Sequence, residues 1–502
     1  MSPPNRVHHV LEAPCASTDP KTHETPKLYE SVASRIRHLI SHGTFKAGDR
    51  LPSLRRLGNE LQVSISTVLE AYRVLESQGI INARPQSGYY VRASFQSLST
   101  EIEVSHPPSS PSQVGVDDLV MHVMEDTRDA SLIPLGAAIP NPQLLPTQKL
   151  NRSLIAAARL MESCGHVYDI PPGCEALRIQ VAQRTLAAGC TLTPDEIVTT
   201  CGCLEAISLS LRAICQPGDT VAIESPTYFG ILQALQFLGL RALEVPTHPR
   251  TGISVEALET ALQHNRVSAC VVVTNFNNPL GCLMPDDAKR KLVELLAERD
   301  IPLIEDDIYG DLSFSDERPH VAKAYDRNGL VLLCSSYSKD LAPGYRVGWV
   351  APGRYKRTVM RLKASTNIAT PTLTQLAIAD FLANGGYDRH LSRLRRIYAR
   401  QVALVAQAVL KSFPAGTRVS QPQGGFVLWV EMPPQVDSLK LYQVALRSRI
   451  TLAPGPIFSA KQGYRNFLRL NCAWWSKEVE QALPLLGRLV AQEAGMAEPR
   501  GT

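Results

Sequence analysis

The chain has 502 residues, enough for more than one domain, and its 44% hydrophobic and 20% charged content is that of a globular protein with a sizeable core. No apolar run approaches the roughly 18 to 20 residues of a membrane span, and the N-terminus lacks the apolar stretch of a signal peptide. The eleven cysteines include no C-x-x-C pair, which argues against a disulfide framework or a zinc site and for a reducing, cytoplasmic location.

Residues 1–26 are rich in Pro, Thr and His, lack periodicity, and are expected to form a mobile tail. The net charge of +5 is mild, but ten Lys/Arg against five Asp/Glu fall between Lys27 and Arg92, so the positive excess gathers there. In the same segment Val32, Ile36, Leu39 and Ile40 recur at helical spacing, with Gly43 placed to stop the helix. Ser53 is placed to cap a second helix with Leu54, Leu57 and Leu61 on one face. A third starts at Ser64 and is expected to bury Val68, Ala71, Tyr72 and Leu75, leaving Ser64, Ser66, Thr67 and Arg73 outside. Short strands near Ile80 to Arg84 and Tyr89 to Arg92 flank the turn from Pro85 to Gly88.

Three short helices and a two-stranded wing with gathered positive charge make a winged helix-turn-helix, whose third helix enters the major groove while the wing and second helix hold phosphates. The stretch LPSLRRLGNELQVSISTVLEAYRVLESQGIINARPQSGYYV resembles the GntR-type DNA-binding domain over nearly its full length. That resemblance places Arg55, Ser64, Ser66, Thr67, Arg73 and Gly88 against double-stranded operator DNA, with residues 27–93 as the domain. Where the family often has arginine, between the two serines, this chain has Ile65, so base reading there relies less on a bidentate guanine contact. A helical protein-interaction module is the alternative for this segment.

Residues 94–115 turn to Ser, Pro and Thr and read as a linker with extended, proline-stiffened character. Beyond Val116, helices alternate with apolar strand candidates at Val221 to Glu224, Ala269 to Thr274, Pro302 to Glu305, Val331 to Cys334 and Arg346 to Val350. One amphipathic helix is expected over Met284 to Arg299. Such alternation predicts an α/β layered domain over 116–495 with a mostly parallel sheet, whose ligands sit at strand C-terminal ends.

The chemistry centres on LLCSSYSKDLAPGYRVGWV. Ser336 and Ser338 can donate hydroxyl hydrogen bonds, Arg346 can clamp a phosphate bidentately, and Lys339, if desolvated, becomes a nucleophilic amine able to form a Schiff base. Gly202 stands where a strand-like segment gives way to a helix, so the backbone N–H groups of Cys203 and Leu204 can point at an anion. The spacing S-x-S-K-x-x-x-x-P-G-x-R resembles the pyridoxal-phosphate lysine motif of fold type I aminotransferases.

By that resemblance Tyr228 stacks on the cofactor ring, Asn278 of the N-P-x-G turn binds its hydroxyl with Tyr309, and Asp306 of D-x-x-Y faces its nitrogen and makes the ring an electron sink. Asp307 is read as a surface or outer residue. Arg469 in FLRLNC matches the arginine that clamps an α-carboxylate, Gly136 a backbone stretch closing over the substrate, and Tyr168 a tyrosine reaching the phosphate of a partner subunit, which implies a homodimer. Two positions depart from the pattern: Cys203 replaces the usual Ser or Thr, and Leu280 the usual Thr.

From Lys27 to about Arg488 the chain resembles the MocR subgroup of GntR regulators, a winged helix-turn-helix fused to a pyridoxal 5'-phosphate-dependent fold type I aminotransferase-like domain. The resemblance implies a transcription regulator that senses an amino compound or the cofactor itself. The alternative is an active aminotransferase carrying an accessory DNA-binding domain, since every expected catalytic group is present. A third reading, DNA binding beside a cofactor-free domain, sits poorly with Lys339, Asp306 and Arg346 together.

Overall fold

A computed structural model describes residues 28–41, 44–45, 49–77, 80–84, 88–91, 101–164, 167–384 and 386–496. The expected tail 1–26, the helix stop at Gly43, the wing turn 85–87 and residues 94–100 of the expected linker lie outside them. The chain separates into two compact units, residues 1–92 and 93–502.

In the first unit α1 (Leu28–Ser41) packs on α3 (Ile65–Ser77), burying Val32, Ala33 and Ile36 against Val68, Ala71, Tyr72 and Leu75. Helix α2 (Leu54–Leu61) starts at Ser53, whose hydroxyl accepts the Arg56 N–H at 3.3 Å, and stops at Gln62 in a left-handed conformation. The wing pairs β1 (Ile81–Arg84) antiparallel with β2 (Gly88–Val91), Ile81 opposite Val91. A third edge unseen in the sequence adds to it: Arg50 bridges Tyr90, and the Leu51 N–H donates to the Tyr89 carbonyl at 2.8 Å. Tyr72 ties helix to wing, its hydroxyl donating to the Pro52 carbonyl at 2.7 Å and its ring meeting Tyr89 edge-on.

Among the described residues of the second unit, eight strands form one sheet. In chain order they are β3 (Val198–Thr200), β4 (Thr220–Ser225), β5 (Arg241–His248), β6 (Gly252–Ile253), β7 (Ala269–Val272), β8 (Leu303–Asp306), β9 (Val331–Ser336) and β10 (Gly348–Ala351). Their spatial order is β3-β10-β9-β8-β7-β4-β5-β6. The run from β9 through β8, β7 and β4 to β5 is parallel, and β4, β7, β8 and β9 are buried along their length, which explains their nearly unbroken apolar sequences. Most polar exceptions fall at the C-terminal ends, among them Asp306 on β8 and Ser336 on β9, where an open α/β sheet holds its ligand.

The strand expected from Arg346 starts instead at Gly348 and runs antiparallel to β9. Arg346 itself closes the short helical turn Pro343–Tyr345 in a left-handed conformation. The helix expected over Met284 to Arg299 spans Asp286–Glu298.

A smaller antiparallel sheet contains β11 (Arg418–Val419), β12 (Val427–Glu431), β13 (Ala453–Pro454) and β14 (Phe467–Asn471) in the order β11-β12-β14-β13. The helices Gly386–Ser412, Ser438–Arg447 and Lys477–Glu493 back it through Val402, Val405, Leu441, Leu483 and Leu486.

Residues 101–115, read from composition as linker, are laid along the second unit as a strap. Ile102 is buried in the main core, and the Ser105 hydroxyl accepts the Thr247 N–H at 2.8 Å. Ser112 exchanges both backbone hydrogen bonds with Ala242 at 2.8 and 2.9 Å. Glu101 pairs with Arg250 beside the large sheet, and Glu103 with Arg418 of the small one at 2.9 Å. No helix among the described residues is long and apolar enough to cross a membrane.

Candidate cofactor pocket and candidate DNA-facing surface

The pocket begins where β3 hands over to the helix Cys203–Ile214. Gly202 caps that helix with φ +92, and a side chain there would overlap the Arg346 guanidinium. Only glycine lets the turn and the arginine approach this closely. Arg346 donates to the Ser338 hydroxyl at 3.2 Å and to the Cys201 carbonyl at 3.1 Å, while the Ser338 N–H reaches the Ser336 hydroxyl at 3.4 Å. Near them the first-turn N–H groups of Cys203 and Leu204 have no intrahelical acceptors. Two hydroxyls, a guanidinium and a helix N-terminus form a donor set suited to a phosphate.

Lys339 follows on the turn after β9. Its amine donates to the Ala138 carbonyl at 2.8 Å. Burial, helped by the charges of Arg469 and Arg346 and opposed by Asp306, brings its pKa down to about 8, so about a tenth of the amine is neutral at pH 7, far more than for an exposed lysine. Asp306 is fully buried at the end of β8, and burial pushes its carboxyl up to about 6 against the hydrogen bonds that hold it down. One of those bonds comes from Cys203. Its thiol does not turn to the phosphate corner but donates to Asp306 Oδ1 at 3.2 Å, an oxygen that also accepts the Ile308 N–H at 3.1 Å. The backbone N–H of Cys203 keeps its place at the helix start.

Tyr228 caps the helix Phe229–Phe237, and its ring fills the space a side chain at Gly230 would need. Burial raises its phenol to about 12. Tyr309 is buried against Phe426, and its hydroxyl has no hydrogen-bond partner among the described residues. Asn278, beside a cis bond to Pro279, accepts from Arg469 Nη1 at 3.2 Å.

Arg469 is fully buried on β14. It also donates to the Gly136 carbonyl, and its Nε has no partner among the described residues. Burial lowers it to about 10, and the groups that oppose this are the phenols of Tyr309 and Tyr228 and the Cys472 thiol, none of them a carboxylate. A buried guanidinium without a carboxylate is suited to receive one from a ligand.

The structure thus brings Gly136, Gly202, Cys203, Asn278, Asp306, Tyr309, Lys339 and Arg469 into one hydrogen-bonded or packed constellation with Ser336, Ser338 and Arg346 at its phosphate end. Tyr168 stands apart, 75% exposed beside exposed Val167 and Ile170. Asp307, read as peripheral, is buried and tied to Arg318 and Asn275. Sequence reasoning passed over Asn471, whose amide donates to the carbonyls of Ala137 at 2.8 Å and Ile139 at 3.0 Å and so positions the segment over Lys339. Its signal was period two, since Arg469 and Asn471 share one face of β14.

In the first unit, Arg55, Ser64, Ser66 and Arg73 are exposed and Thr67 half-buried. Ser64 Oγ lies 2.8 Å from both the Ser66 and Thr67 hydroxyls and accepts the Thr67 N–H at 3.1 Å, capping α3. Arg73 pairs with Glu70 at 3.3 Å across an exposed face, a contact easily exchanged for a phosphate. Gly88 opens β2 with φ +108 against Arg50.

Two family models match the chain: bacterial regulatory proteins of the gntR family over residues 28–91, and aminotransferase class I and II over 143–484. An uncharacterized HTH-type transcriptional regulator, YdcR, of Escherichia coli (strain K12) is 42% identical over 467 residues, 93% of this chain and 99% of that protein. Among solved structures, a Pyrococcus horikoshii kynurenine aminotransferase in complex with PMP is similar with a TM-score of 0.70 at 28% identity, covering 75% of this chain and 94% of that one. The Thermus thermophilus α-aminoadipate aminotransferase LysN, complexed with N-(5'-phosphopyridoxyl)-L-leucine, is similar with a TM-score of 0.68 at 27% identity, covering 74% and 95%.

Proposed function

Because the chain belongs to the GntR regulators that carry a class I and II aminotransferase domain, the MocR subgroup, we propose that it is a transcription regulator whose second unit holds pyridoxal 5'-phosphate at Lys339 and reads an amino acid. When bound, that cofactor supplies an aldehyde that condenses with primary amines and a ring that withdraws electrons. The residues present fit it. Ser336, Ser338, Arg346 and the turn at Gly202 hold a phosphate, Asp306 holds a proton at a pyridine nitrogen, and the Tyr309 hydroxyl, without a partner among the described residues, together with Asn278 binds a phenolate oxygen. Lys339 contributes an amine whose lowered pKa makes it reactive without a separate base.

The observation that carries the reading is Arg469, a fully buried cation facing no carboxylate among the described residues, in a chain that also presents a capped, outward-facing α3. A carboxylate-bearing amine satisfies Arg469 and competes with Lys339 at the same time. By linkage, such a ligand alters DNA affinity only as far as it prefers one state of the protein. The supporting experiment measures operator binding with and without cofactor and a panel of amino acids. An affinity indifferent to both overturns the sensor reading.

The second reading, turnover as an aminotransferase, is favoured by the neutral fraction of Lys339, the group that would carry protons during exchange. Repeated conversion of an amino acid with a keto acid supports it; a single spectral change without product supports sensing. We place the protein in the cytoplasm as a homodimer, with the exposed Val167, Tyr168 and Ile170 covered by a second copy, a state that light scattering reads directly.

A further inference from the structure

The first turn of α3 presents an apolar tip. Ser64, Ser66 and Thr67 spend their hydroxyls largely on one another and on the helix cap. Between them Ile65 stands 49% exposed. Its inner edge is seated over Gly58 of α2, where an added Cβ would lie 4.0 Å from the Ile65 Cγ1 and 3.1 Å from the Val63 carbonyl oxygen. A glycine inside an eight-residue helix is unfavourable relative to alanine, so its presence reflects the close approach of this turn. A β-branched side chain in a helix is confined mainly to one rotamer, which makes the projecting half of Ile65 a preset shape that loses little entropy on contact. Arg55 on α2 and Arg73 on α3 are exposed and are the candidate phosphate partners.

Residues at the start of the recognition helix contact base edges in the major groove, and the apolar group displayed there is the thymine C5-methyl. We infer that Ile65 is a specificity-determining residue that packs on a thymine methyl, so that each operator half-site carries a T·A pair opposite the start of α3. The inference rests on the DNA-binding reading above and sharpens it from duplex DNA to a duplex with a required methyl at one position.

The test uses the full-length protein and a library of random duplexes, from which bound sequences are recovered. Each thymine of a recovered duplex is then replaced, one at a time, by deoxyuridine, which removes the methyl and leaves the hydrogen-bonding edge unchanged. At one position per half-site the wild type should bind about fourfold more weakly, the effect of one buried methyl. Ile65→Ala should bind the thymine and uracil duplexes equally, and its fold is expected to persist because the site is exposed and alanine favours helix. Arg55→Ala should weaken both duplexes alike. Recovered duplexes with no methyl-sensitive thymine, or a sensitivity that survives in Ile65→Ala, overturn this inference alone. Failure to retain any duplex overturns the DNA-binding reading with it.

Discussion

Replacing Gly202 by alanine tests the phosphate corner at its tightest point. The new Cβ would overlap the Arg346 guanidinium, and the backbone would hold a non-glycine residue at φ +92. The strained backbone costs about 1–3 kcal/mol and destabilises the protein with or without ligand. The displaced arginine gives up its bonds to Ser338 and Cys201 and its aim at a phosphate. A hydrogen bond to a charged group contributes about 1.5–3 kcal/mol, so cofactor Kd should rise by a factor of about 10 to 150. Gly344, two residues before Arg346, supplies the control, because a Cβ there meets nothing within 4 Å. Titrating cofactor-free protein with pyridoxal 5'-phosphate and following visible absorbance reads both variants. If Gly202→Ala binds within threefold of wild type while Gly344→Ala is also unchanged, the packing argument for this corner fails.

Three further outcomes are expected. Cys203→Ser places a hydroxyl against Asp306 Oδ1, a stronger donor to a carboxylate than a thiol, and so lowers the Asp306 pKa from about 6. The carboxylate then survives to lower pH, and the midpoint for acid release of the cofactor moves down by roughly one unit; a fixed or higher midpoint contradicts the assignment. The rate of cofactor capture should climb with pH as the Lys339 amine loses its proton and level off above about 8, and Lys339→Ala should show only the spectrum of the free aldehyde at any pH, without the Schiff-base band. Arg469→Met should keep cofactor and DNA binding but lose amino acid affinity on the order of 100-fold, the loss of a forked charged contact. Its response to the matching decarboxylated amine should not change, and an equal loss for both ligands would place the carboxylate elsewhere.

The constellation was legible wherever function fixes residue type and spacing together. The run from Ser336 to Arg346 is such a case, because a strand end, a tight turn and a returning cation leave few alternatives. Helix α2 was legible for the same kind of reason, since Ser53 supplies the one side-chain acceptor at its start. What stayed hidden depends on geometry that composition does not encode. The direction of the Cys203 thiol is a matter of rotamer, and Asp307 looks peripheral until Arg318 is folded over it. Strands β6, β11 and β13 have two residues each, too few for any period to register. The proline- and serine-rich 101–115 reads as tether because its anchoring bonds are mostly backbone or single hydroxyls, with Ile102 the lone strong apolar clue.

That strap has a mechanical consequence for the second unit. Glu101 is pinned to Arg250 beside the large sheet and Glu103, two residues on, to Arg418 of the small one, so the same short length of backbone is fastened to both. A displacement of one sheet relative to the other would load these ion pairs. Both are partly exposed, worth at most about 1 kcal/mol each, and therefore behave as shear pins that yield before the sheets deform. Raising ionic strength weakens such pins by screening, so salt loosens these two fastenings while leaving the hydrophobic core around Ile102 in place.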